Sequence, residues 1–149
     1  MTGLPERITG AVARSGLAGD WVRPQDLADL PPTAGAYALV LRLERPLRLE
    51  RPRPGSLVPG WYLYLGSARG PGGLRGRVGR HFRSEKRPHW HIDRLTAAAA
   101  LPAAFIVAGG DECDLGARLT RKAGLDFAVA GFGSSDCRRC ASHLLTASD

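Results

Sequence analysis

Only 3 cysteines occur in 149 residues, and the 19 glycines follow no three-residue period. The first observation excludes a disulfide scaffold and the second a collagen-like fibre. No stretch approaches the roughly 20 apolar residues that cross a bilayer, and residues 1–10 lack the apolar core of a secretory signal. Lysine is scarce, with Lys86 and Lys122 alone, and asparagine is missing altogether. With 44% apolar residues the chain is too hydrophobic for a disordered segment. What remains is one globular domain long enough to bury a core, expected to be cytoplasmic with reduced thiols.

The net charge of +7 is unevenly placed. Residues 61–94 carry eight basic side chains against Glu85 and Asp93, and residues 35–60 hold five arginines against two glutamates. The first 34 residues and the last 55 each come to −1. A polyanion is the natural partner of such a middle segment, although a solvated arginine-rich surface explains the charge equally well.

Residues 1–34 have weak periodicity and end in Leu30-Pro31-Pro32-Thr33, where prolines stop any helix over 25–30. They read as an N-terminal extension to a domain over 35–149. Residues 35–43 (GAYALVLRL) alternate as a strand with Tyr37, Leu39, Leu41 and Leu43 on one face, and 47–50 forms a plausible hairpin arm. Residues 61–66 (WYLYLG) form a second strand, with Tyr62 and Tyr64 opposite Trp61, Leu63 and Leu65. Leu74, Val78 and Phe82 recur every four residues and predict a helix over 73–83, with Arg77 and His81 on an adjacent stripe. A second helix is expected from Pro88, carrying Trp90, Ile92 and Leu95. A buried strand follows at 103–108, and a third helix opens at Asp111 with Leu115 and Leu119 inward.

Two strand tyrosines, an Arg and a His one turn apart, and a Glu opening a later helix are the parts of a phosphodiesterase. A phosphoryl transition state spreads negative charge over its oxygens, so a guanidinium (Arg77) and a metal ion held by Glu112 would stabilise it. A tyrosine or His81 would take the proton from water. A single carboxylate suits Mg²⁺ or Mn²⁺ sites that keep waters and phosphate oxygens.

On these residues the chain resembles the GIY-YIG nuclease superfamily from Gly35 to about Leu145. Gly35-Ala36-Tyr37 looks like the first motif, Tyr64-Leu65-Gly66 like the second, and Leu74-x-x-Arg77-Val78-x-x-His81-Phe82 like the catalytic helix. Residues 88–93 (PHWHID), Glu112-Cys113, and 131–137 (GFGSSDC) with Ser142-His143-Leu144 are similar to the Uri-type endonuclease branch. The resemblance implies an α+β fold with a small central antiparallel sheet flanked by helices. It also implies a DNA-cleaving site with Tyr37, Tyr64, Arg77, His81 and Glu112 as catalytic residues and Glu112 as the metal ligand. Two departures stand out. Ala36 replaces a middle Ile, and the late Asn of many members is absent, with Asp136, Ser134 or Ser135 as substitutes. The Gly70–Gly73 run also lengthens the route into the helix.

The expected activity is therefore hydrolysis of DNA phosphodiester bonds, in repair or in processing of foreign or single-stranded DNA. The alternative is a basic nucleic-acid-binding module on the same fold without turnover. Arg69, Arg75, Arg80, Arg83, His89, Trp90 and His91 are the expected DNA contacts, although a structural His/Trp pair at a helix start is an equal reading of the last three. Tyr37 and Tyr64 read in isolation as strand aromatics, and Glu112 as a helix-start acid with Asp111 and Asp114 as competitors for its metal role. Cys137-x-x-Cys140-x-x-His143 has zinc-ligand spacing that Cys113 would complete, against reduced cysteines packing the tail.

Overall fold

The computed structural model describes residues 3–50, 54–83, 91–128 and 143–147, with His91 defined only by its place in a helix. In chain order the elements are α1 (Glu6–Arg14), β1 (Asp20–Val22), β2 (Gly35–Leu43), β3 (Leu47–Leu49), β4 (Gly55–Leu57) and β5 (Gly60–Ala68). They continue with α2 (Gly73–Phe82), α3 (His91–Ala98), β6 (Ala100–Ala108), α4 (Glu112–Ala117), β7 (Asp126–Phe127) and β8 (Leu144–Thr146). A 3-10 turn over Pro24–Asp29 precedes β2, and a π-helical turn over Arg118–Lys122 prolongs α4. Six strands form one sheet in the order β1-β6-β2-β5-β8-β7, antiparallel at every pairing, while β3 and β4 pair separately. This is the α+β architecture expected from the sequence, an antiparallel sheet flanked by helices.

Alternation along the central strands divides the core into two layers. Tyr37, Leu39, Leu41 and Leu43 of β2 share one face with Tyr62 and Tyr64 of β5, packed under Leu74 and Val78 of α2 and Ile92 and Leu95 of α3. The other face collects Ala36, Ala38, Val40, Leu63 and Leu65 under Ile8 and Val12 of α1 and Leu115 of α4. Ala36 is 1% exposed, so the departure from a larger residue in the first motif sits in packing rather than in the cleft. The N-terminal stretch read as an extension adds a helix to this second layer and an edge strand, β1, to β6. Helix α1 is amphipathic over its nine residues, with Ile8, Ala11 and Val12 buried, a pattern that the reading of residues 1–34 as weakly periodic passed over.

The glycine run before α2 is a built turn. Gly72 and Gly73 both have positive φ, 83° and 54°, and a side chain at Gly73 would strike the carbonyl oxygens of Pro32 and Thr33. Those neighbours supply the helix start, because Leu74 N donates to Thr33 O (2.9 Å) and Arg75 N to Pro31 O (3.1 Å). The prolines that end the 3-10 turn thus cap the helix carrying Arg77 and His81. Among the described residues no helix is long and apolar enough to cross a membrane.

Candidate active site

Strand register brings the two tyrosines together. Tyr37 lies opposite Gly66 and Leu39 opposite Tyr64, so Tyr37 and Tyr64 are diagonal neighbours on one face. Gly66 is required there, since a β-carbon at that position would collide with the ring and hydroxyl of Tyr37. The tyrosine of the first motif and the glycine of the second are therefore one packing unit.

Helix α2 crosses this face and adds His81 and Arg77 one turn apart. The Tyr37 hydroxyl and His81 Nε2 are 2.7 Å apart, and the His81 ring also stands edge-on to Tyr64 at 5.9 Å between centroids. His81 is 1% exposed and Tyr37 is likewise sealed, whereas Tyr64 is half-buried. The Arg77 guanidinium lies near enough to Tyr37 to favour its ionised form. Burial raises the Tyr37 phenol well above its ordinary pKa, with the Tyr64 neighbour adding to the rise and Arg77 opposing it. Burial likewise pushes Tyr64 up to about 12, with Glu112 contributing and Arg77 opposing. Glu112 and Arg77 thus act electrostatically on both phenols, the carboxylate raising their pKa values and the guanidinium lowering them.

Helix α4 positions Glu112, and its acidic neighbours are already engaged. Asp111 caps the helix by accepting from Cys113 N (2.7 Å) and Asp114 N (3.3 Å). Asp114 is exposed and pairs with Arg118 one turn later at 3.2 Å. Glu112 is 26% exposed, with Oε2 3.8 Å from His143 Nδ1. A lone hard-oxygen donor with solvent on one side fits Mg²⁺ or Mn²⁺, which retain waters and take phosphate oxygens. No group of three or more His, Cys, Asp or Glu that could hold a metal occurs among the described residues.

Several expectations need correction. Cys113 is disulfide-bonded, not the reduced thiol expected, and a disulfide sulfur is not the thiolate that a zinc site requires. His143, the fourth member of that set, turns toward Glu112, and Cys137 and Cys140 lie outside the described residues. Arg80, expected to face DNA without a nearby acid, makes a bidentate pair with Asp93 at 2.6 and 2.8 Å. Arg75 is exposed but its Nε donates to Leu30 O at 2.8 Å, bracing the turn before α2. Arg69 and Arg83 are exposed, and the Arg69 Nε donates to Ser67 Oγ at 3.1 Å. His89, Trp90, Ser134, Ser135 and Asp136 lie outside the described residues, and His91 opens α3. Trp61 occupies the sheet face away from the tyrosines, with the Arg42 guanidinium 5.7 Å from its ring.

Sequence reasoning missed the Arg80–Asp93 pair and the approach of His143 to Glu112. Neither has a periodic signal, because each joins elements that only the tertiary fold brings together.

Fold and site define a small antiparallel α+β domain in which an imidazole, a guanidinium and a carboxylate all act on the Tyr37–Tyr64 pair. A family model described as a domain of unknown function, DUF123, matches residues 36–149. The chain belongs to that family. No curated protein and no solved structure matches it.

Proposed function

We propose that the chain is a metal-dependent endonuclease hydrolysing DNA phosphodiester bonds, a GIY-YIG-type enzyme of the Uri branch. The observation that carries this reading is the convergence of Arg77 and Glu112 on the Tyr37–Tyr64–His81 cluster, from four separate elements. Scattered surface charge or ordinary strand aromatics would not bring an unlike pair of charges to the same two buried phenols.

Glu112 would hold Mg²⁺ or Mn²⁺, whose chemistry there would be to supply positive charge at the scissile phosphate. Arg77, whose charge already acts on Tyr37, meets the non-bridging oxygens as they gain charge. Tyr37 is sealed from solvent and hydrogen-bonded to His81, so its role is to hold that ring. Tyr64 is the phenol that solvent reaches, and it takes the proton from the attacking water. A phenol raised to about 12 is a strong but sparsely populated base, so cleavage accelerates with pH through the neutral range. Exposed Arg69 and Arg83 contact the phosphate backbone, giving binding with little base preference and a steep dependence on salt.

The test is cleavage of single-stranded, duplex and branched DNA by single-site variants. Glu112→Ala and Arg77→Ala should each lose on the order of 10²–10³ in rate, while Asp111→Ala and Asp114→Ala retain most activity because their carboxylates serve the helix. Wild-type turnover in Glu112→Ala would remove the assignment. DNA binding without cleavage of any substrate would leave the binding-module reading.

A further inference from the structure

The C-terminal strand β8 lies against β5 beside Tyr64. Leu144 is in register with Tyr64 and Leu145 with Leu63, and the His143 carbonyl accepts from Leu65 N at 2.8 Å. The backbone at His143 is therefore fixed to the strand that carries a site tyrosine. Its side chain is 3% exposed, and Nδ1 stands 3.8 Å from Glu112 Oε2. Nε2 is buried and has no hydrogen-bond partner among the described residues. An imidazole buried with an unsatisfied nitrogen costs stability that a leucine or phenylalanine would avoid, so its presence calls for a reason. Glu112 alone of the three acids at the start of α4 faces such a partner, since Asp111 binds backbone amides and Asp114 pairs with Arg118. The disulfide at Cys113 constrains the chain at the very next residue.

We propose that His143 is a positioning residue for Glu112, delivered by β8, which holds the carboxylate so that its other oxygen is presented to the divalent cation. This rests on the nuclease reading above, in which Glu112 is the ligand. At 3.8 Å the two atoms stand just beyond hydrogen-bond distance, so a side-chain shift of about 1 Å would let Nδ1–H donate to Oε2. Partners of ligating carboxylates commonly set metal affinity by 10–100-fold.

The experiment measures Mn²⁺ binding to the full chain without DNA, by calorimetry or by electron paramagnetic resonance of the free ion, alongside the Mn²⁺ midpoint of cleavage. Wild type is compared with Glu112→Gln, His143→Ala and His143→Asn, each first checked for native melting. His143→Ala should weaken Mn²⁺ binding roughly tenfold or more and raise the cleavage midpoint equally, with KM for DNA unchanged and the rate recovered at high Mn²⁺. His143→Asn, whose Nδ2 stands where Nδ1 stood, should restore most of the affinity. Unchanged Mn²⁺ affinity in a folded His143→Ala protein overturns the proposal while leaving Glu112 as the ligand. An Asn variant that folds but binds as poorly as Ala overturns it as well. If wild type binds Mn²⁺ no better than Glu112→Gln, the nuclease reading of Glu112 itself fails and the proposal goes with it.

Discussion

Replacing Arg80 by methionine removes a guanidinium from a bidentate pair whose partner is almost sealed: the Asp93 side chain is 1% exposed and that of Arg80 17%. The hydrogen bonds to Asp93 hold the Arg80 guanidinium above its ordinary pKa, so the pair stays ionised across the working range. Methionine keeps the apolar stem but takes the bidentate partner away from a buried carboxylate. Breaking a buried pair from one side costs roughly 3–5 kcal/mol, a fifth or more of a typical domain's roughly 5–15 kcal/mol. In urea, where small domains lose roughly 1–3 kcal/mol per molar, the midpoint should fall by about 2 M with the slope unchanged. The double variant Arg80→Met/Asp93→Leu should regain most of the loss, because no lone charge is then buried. DNA affinity of folded Arg80→Met, compared at matched salt, should fall less than that of Arg69→Ala. A loss under about 1 kcal/mol would show that solvent reaches Asp93 well enough to replace its partner. A double variant no more stable than the single one would refute the reasoning from a stranded charge.

Gly66→Ala should damage both fold and chemistry, since its methyl group would meet the Tyr37 ring and hydroxyl; a melting temperature within a degree or two of wild type, with normal cleavage, would contradict the packing unit. Stability should decline as pH rises from about 10 toward 12, because unfolded tyrosines ionise near 10 while Tyr64 resists to about 12 and Tyr37 is also raised. Below the unfolded value both states are protonated and that contribution is constant, so a stability curve flat through the alkaline window would show that the phenols are not buried as described. Tyr64→Phe should slow cleavage and flatten its rise with pH, whereas an unchanged slope would move the base elsewhere.

The site was legible wherever a short-range pattern encodes it. Alternation put Tyr37 and Tyr64 on the right face of their strands, and four-residue spacing put Arg77 and His81 on adjacent stripes of α2. Asp111 was legible as a helix start from its position before Glu112, and it is the cap. The contacts between elements were not legible. Arg80 looked like a free phosphate contact because Asp93 lies on a different helix, thirteen residues away, and charge counting carries no geometry. His143 looked like a zinc ligand because Cys-x-x-Cys spacing dominates the tail, while its approach to Glu112 depends on β8 pairing with β5. The glycines of 70–73 read as a break, and only the packing of Pro31–Thr33 against α2 shows that they let the helix begin.

The central claim is that Glu112 serves divalent-cation-dependent cleavage of DNA at the tyrosine cluster. The most direct test is a single-turnover cleavage time course of wild type and Glu112→Gln on labelled single-stranded, duplex and branched DNA, with Mg²⁺, with Mn²⁺ and with excess chelator. The account predicts cleavage by wild type with either ion, none with chelator, and near-complete loss in Glu112→Gln with DNA affinity retained. Cleavage that persists in chelator, or in Glu112→Gln at the wild-type rate, would contradict it.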